Sequence, residues 1–163
     1  MPKKVLIISS YAPPTITGGP KIIYNMLKDL PLDSYSILTS FFAIDNVSAK
    51  VGNWLPGKYI FYDNLKANRK SSSFDEVKQS AMKVRLFITK LKYLAKRVPL
   101  IRSIIGIPII FTQIFSIVRQ GKKSVSEENI DMLFGFSDYG PALIGTYIVH
   151  KSQKGLILFG CSI

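Results

Sequence analysis

The sequence predicts an α/β domain with a Rossmann-like, mainly parallel sheet flanked by helices. Short continuous apolar runs such as Val5-Leu6-Ile7-Ile8 lack in/out alternation, as strands covered on both faces do. These runs alternate with stretches of helical period, the pattern of βα units. The first run passes through Ser9-Ser10-Tyr11-Ala12-Pro13-Pro14-Thr15-Ile16-Thr17-Gly18-Gly19-Pro20 into a helix. Glycines allow a ligand close to the backbone, and a helix start directs unpaired N–H groups at the same point. A phosphorylated or otherwise anionic ligand is expected there. At 163 residues, a single domain spanning 1–163 with a substantial core is the default expectation.

The elements follow in order. Lys4–Ser10 reads as a strand buried on both faces. Pro20–Leu30 reads as a helix with proline in its first turn and Ile22, Ile23, Met26, Leu27 and Leu30 on one face. Tyr35–Phe42 is a second strand, Val47–Gly57 a loop, and Lys58–Tyr62 a short third strand. The serine-rich Asn64–Ser73 reads as a mobile connection. Phe74–Val98 carries one apolar stripe at helical spacing, which Pro99 interrupts. Leu100–Val118 is a second helical or hairpin-like apolar stretch, with Gly106 and Pro108 as expected bends. Ser124–Glu128 is expected to cap a short turn. Ile130–Phe136 is a fourth strand, Pro141–Lys151 a helix entered through Ser137-Asp138-Tyr139-Gly140, and Leu156–Phe159 a fifth strand. In such sheets ligands sit at the carboxyl ends of the strands, so the loops Ser9–Gly19 and Ser137–Gly140 should share that edge.

Charge separates the function classes. Lys and Arg number 22 against 10 Asp and Glu, a net charge of +12. Val77–Ser126 holds no acid but eleven cations, and reads as a basic helical insertion over about 74–123. Lys83, Arg85, Lys90, Lys92, Lys96 and Arg97 lie beside its apolar stripe, the composition of an interfacial helix on an anionic membrane. A solvated helix packed on the sheet is the competing reading. Ser103–Val118 is uncharged for sixteen residues, short of the roughly 20 that span a bilayer, so a buried or membrane-dipping segment is expected instead. Nucleic-acid binding through the same cations is disfavoured, since no recognition module is present. The single cysteine, Cys161, cannot form an intrachain disulfide and fits a reducing, cytoplasmic setting. The apolar run at the N-terminus is too short for a signal peptide.

The glycine loop matches neither G-x-G-x-x-G nor G-x-x-x-x-G-K-[ST]. The stretch K-V-L-I-I-S-S-Y-A-P-P-T-I-T-G-G-P-K-I-I-Y-N-M-L instead resembles the family-4-like N-terminal domain of GT-B glycosyltransferases over Lys4–Leu30. A weaker likeness covers D-M-L-F-G-F-S-D-Y-G-P-A-L-I-G-T-Y, at Asp131–Lys151. The resemblance implies the acceptor-side half of an enzyme that moves a sugar from a nucleotide-sugar donor to a glycan or lipid-linked acceptor. It places Gly18 and Gly19 near the donor diphosphate, with Pro20 and Lys21 beside them, and Ser137, Asp138 and Tyr139 on the cleft edge. The nucleotide-sugar is a substrate, and no cofactor is implied. The family's second Rossmann-like domain and its E-x7-E-type motif have no counterpart here, since Glu76, Glu127 and Glu128 lack that spacing. An incomplete GT-B, with the C-terminal donor domain absent and little turnover alone, is therefore expected, peripheral to the inner face of the plasma membrane.

Asp138 is the weak catalytic candidate, as base or orienting group, against a role capping the Pro141 helix. His150, the only histidine, falls near a helix C-terminus, where the dipole favours a cation. No histidine cluster or D-x-D pair points to a metal. Trp54 and the tyrosines are expected to pack or line an edge. The alternative to an enzyme is a non-catalytic basic protein docking on anionic membranes.

Overall fold

The computed structural model describes residues 4–13, 18–41, 54–63, 99–136, 140–152 and 156–160. Five strands, β1 (Val5–Ile8), β2 (Tyr35–Thr39), β3 (Lys58–Phe61), β4 (Met132–Phe136) and β5 (Leu156–Gly160), form one sheet in the order β3-β2-β1-β4-β5. Every pairing is parallel. Among the described residues the helices are α1 (Gly18–Leu27), α2 (Pro99–Glu128) and α3 (Gly140–Lys151), with a 3₁₀ turn at Leu32–Ser34. This is an α/β Rossmann-like arrangement, as the apolar runs predict. The predicted helix Phe74–Val98, the cations Lys83, Arg85, Lys90, Lys92, Lys96 and Arg97, and the connection Asn64–Ser73 lie outside the described residues.

Alternation along the strands sends side chains to two cores. On one face α1 lays Ile23 and Leu27 over Ile7, Tyr35, Ile37 and Phe136. On the other, Ile117 of α2 and Ala142 and Val149 of α3 cover Leu6, Ile8, Leu38, Ile60 and Leu133. The apolar face predicted for α1 divides in two. Gly19, Pro20, Ile23 and Leu27 are buried, while Ile22, Met26 and Leu30 stay exposed. Trp54 packs edge-on against Tyr59, with ring centroids 5.1 Å apart. The Tyr35 hydroxyl, its pKa raised by burial, accepts the Gly57 N–H and ties the approach to β3 onto β2.

Three expectations bear on α2. Pro99 opens this helix, since the first turn does not need its missing N–H. Helix continues through Gly106 and Pro108, where the sequence suggested bends, and the Pro108 carbonyl accepts the Thr112 hydroxyl at 2.7 Å. Ser124–Glu128 is the last turn of this helix, closed by Asn129 in the left-handed region at φ 51°. The described part of the basic segment, 99–123, thus lies in the connection from β3 to β4.

Glu128 fastens this helix to the amino edge of the sheet. Its carboxylate accepts hydrogen bonds from Ser36 at the start of β2 and from Lys58 Nζ, at 2.6 Å, at the start of β3. Lys4 Nζ, just before β1, lies 2.9 Å away. Three strand starts are therefore held by one nearly buried carboxylate. Burial opposes its ionisation, but the bonds from Lys58, Ser36 and Lys4 outweigh that and hold the pKa below its ordinary 4.5.

α2 and α3 run side by side in the same direction and meet through glycines. A Cβ on Gly145 would stand 2.5 Å from Ile117 Cγ2, and one on Gly121 would stand 2.8 Å from Val149 Cγ2. Gly145→Ala should cost about 1–3 kcal/mol by overpacking. Gly140→Ala, where a Cβ meets nothing within 4 Å, should leave the thermal midpoint almost unchanged, and thermal denaturation of both variants checks this. The Glu128 carboxyl has a lower pKa folded than unfolded, so its stabilisation is complete above about pH 4.5 and is lost as pH falls through the folded value. Glu128→Gln should lower stability at neutral pH by roughly 1–3 kcal/mol and flatten the acid limb of a stability–pH profile. An unchanged acid limb would show that the clamp carries no weight.

Candidate functional site

The strand order reverses direction between β1 and β4. From β1 the chain crosses to β2 on one side, and β4 lies on the other. In α/β sheets such a reversal marks the crevice at the carboxyl ends of the strands where ligands bind. The start of α1 stands there.

The two glycines divide the work of that helix start. Gly18 has φ +23°, and a Cβ would meet nothing within 4 Å, so it is the open position. Gly19 is buried, and a Cβ would stand 2.8 Å from Phe136 Cε1 at the end of β4. The sequence suggested that both glycines admit a ligand. The structure uses the bareness of Gly19 to seat α1 on the Phe136 ring. Pro20 is buried and lacks an N–H, so the amides of Gly18 and Gly19 are the described donors free of intrahelical bonds in this turn. Lys21 is exposed beside them. Ser137, Asp138 and Tyr139 lie outside the described residues, between the end of β4 and Gly140.

A row of side chains crosses the sheet beneath α1 at this edge. Ile8 pairs with Leu38 and with Gly135, so one residue further the row reads Thr39, Ser9, Phe136. Ser9 is buried and donates its hydroxyl to the Tyr11 carbonyl. Thr39 Oγ1 is buried without a hydrogen-bond partner, an arrangement that costs about 1–3 kcal/mol.

A polar cluster not foreseen from the sequence occupies the same edge beyond β2 and β3. The Asp63 carboxylate accepts the Ser40 hydroxyl and, at 2.7 Å, the Phe41 N–H. The Tyr62 hydroxyl is raised to about pKa 12, first by burial and then by the negative charge of Asp63, with hydrogen bonds to Ser40 and Ser10 opposing the shift. The cluster therefore presents a neutral phenol beside a carboxylate. A carboxylate directly after the Lys58–Tyr62 run was its signal in the sequence. Phe136, which carries the start of α1, and β3 are separated by three strand spacings, about 14 Å, so the amide donors and the Asp63 carboxylate occupy separate parts of one edge.

His150 belongs elsewhere. It lies in the last turn of α3, which runs from the carboxyl edge back to the amino edge, and its Nδ1 is buried without a partner. Its place at the opposite rim removes it from the crevice chemistry. Glu128, at that same rim, is structural.

Comparison with protein-family models, curated protein sequences and solved structures gives no match for this chain. The fold itself defines the class: an α/β Rossmann-like domain with a glycine-opened helix start at the reversal of its strand order.

The division between the glycines is testable by substitution. Gly19→Ala should destabilise by about 1–3 kcal/mol through the clash with Phe136, and Phe136→Leu in the same chain should recover part of the loss, as a double-mutant cycle by denaturant unfolding would register. Full additivity of the two substitutions would contradict the packing role.

Proposed function

We propose that this chain forms the acceptor-side half of a GT-B-type glycosyltransferase, which transfers a sugar from a nucleotide-sugar to an acceptor hydroxyl in polysaccharide or glycolipid synthesis. One observation carries the reading. The first turn of α1 stands at the strand-order reversal with Gly18 in open space and Lys21 exposed beside it. The resemblance of Lys4–Leu30 to the family-4-like N-terminal domain supports the choice of chemistry. In this reading a second Rossmann-like domain supplies the other wall of the donor site.

The reaction forms a bond between the acceptor oxygen and the anomeric carbon of the donor. It breaks the bond from that carbon to the diphosphate oxygen, and the acceptor proton passes to a base. Negative charge grows on the departing diphosphate, so donors aimed at it act where they lower the barrier most. The amides of Gly18 and Gly19 and the Lys21 ammonium take this role. Asp138 is the candidate base. The Asp63 carboxylate, oriented by Ser40 and the Phe41 N–H, suits the orientation of acceptor hydroxyls. The donor is a substrate, and the proposed chemistry requires no resident cofactor.

Titration with UDP and GDP, followed by amide NMR, tests the reading on the chain itself. The amide resonances of Gly18 and Gly19 should move saturably, and Lys21→Ala should weaken binding three- to tenfold. Nucleoside diphosphates that leave both amides unmoved, or bind Lys21→Ala equally well, would remove the proposal. Sugar transfer on adding a compatible donor domain would extend it.

A further inference from the structure

α2 is longer than the sheet it covers. Gly145 of α3 faces Ile117 of α2, and the two helices run in the same direction. α3 begins at Gly140, five residues before that contact, so the level of its start corresponds to about residue 112 of α2. Pro99–Phe111 therefore projects past the carboxyl edge, by about 20 Å at 1.5 Å per residue.

Exposure along α2 records the departure. Ile110 and Ile117 lie seven residues apart on one face of the helix. Ile117 is 0% exposed and Ile110 is 45% exposed. Ile109 is 44% exposed, and Phe111 and Phe115 are each 68% exposed. The side chains of Phe111, Phe115, Arg119 and Lys122 follow one another along the outer face at helical spacing, apolar first and cationic after. Arg119 and Lys122 have no ion pair among the described residues.

We infer that the outer face of α2 docks on an anionic lipid bilayer, with Ile109, Ile110, Phe111 and Phe115 in the headgroup–acyl boundary and Arg119 and Lys122 against lipid phosphates. Charge complementarity selects the partner. The whole chain carries +12, and Val77–Ser126 contains no acid. Exposed bulky apolar side chains with cations one to two turns away offer both contacts that an anionic bilayer surface takes, acyl boundary and lipid phosphate. Among the described residues no helix is long and apolar enough to cross a membrane. The inference rests on the α2 surface and stands apart from the sugar-transfer reading.

Sedimentation with vesicles of phosphatidylcholine alone, and of phosphatidylcholine with about 30% phosphatidylglycerol as the anionic lipid, tests it on the full chain. The protein should pellet with the anionic vesicles only and be released as salt rises. Phe111→Ser with Phe115→Ser should weaken the partition at least about tenfold, with an unchanged circular dichroism spectrum because both rings are exposed. Phe115→Trp should give a blue-shifted emission on vesicle addition that the parent, with Trp54 packed on Tyr59, does not give. Protein that stays in the supernatant, undiminished binding by the serine variant, or an unshifted emission from the Phe115→Trp variant would overturn the inference. So would a serine variant that loses duplex RNA or DNA in a gel shift while the parent ignores vesicles, since the surface would then serve nucleic acid. UDP binding is read separately, so either proposal can fail alone.

Discussion

The parallel pairing of all five strands governs what this chain can do. Parallel neighbours require a crossover for each connection, and each crossover returns the chain over a face of the sheet. Both faces are consequently covered, by α1 on one side and by α2 and α3 on the other. The strand carboxyl ends, and the loops that leave them, are gathered at a single rim. The position of the α1 start, the Asp63 cluster and the α2 overhang at that rim all follow from this one restriction. A single antiparallel strand would have sent one of those loops to the opposite side.

Close approach between elements is achieved by omission of side chains. The rings and branched chains that fill the core, Phe136, Ile117 and Val149, each occupy the space left by a glycine on the facing helix. Gly19 shows that a missing side chain can serve packing at a helix start. Its neighbour Gly18 carries the positive φ and the open space, while Gly19 supplies a seat. Helix position and ligand access are therefore set by adjacent residues with different duties, and the precision of one depends on the other.

Much of the framework was legible because its signals are local. Val5–Ile8 reads as a covered strand from its composition, and the helix after Gly19 reads from the spacing of Ile23 and Leu27. Pro99 was ambiguous because a proline both ends one helix and begins another. The exposure of Ile22 and Met26 was not legible, since periodicity marks an apolar face without saying how wide a neighbour will cover it. Of the candidate site, the paired glycines at the start of α1 were legible and the Asp63 cluster was not. Ser10, Ser40 and Tyr62 come together only when β1, β2 and β3 align. The Glu128 clamp was hidden for the same reason: its partners Lys4, Ser36 and Lys58 are up to 124 residues distant (128 less 4).

The fastening and the crevice occupy opposite ends of the strands. Lys4, Ser36, Lys58 and Glu128 hold one end, and the loops of the crevice leave from the other. Divergence of those loops toward a new ligand would leave the fastening untouched, and a weaker loop would not loosen the strand starts. Such separation relaxes the usual conflict between durability and innovation, because the residues that keep the sheet together are not those that selection for a different substrate would alter.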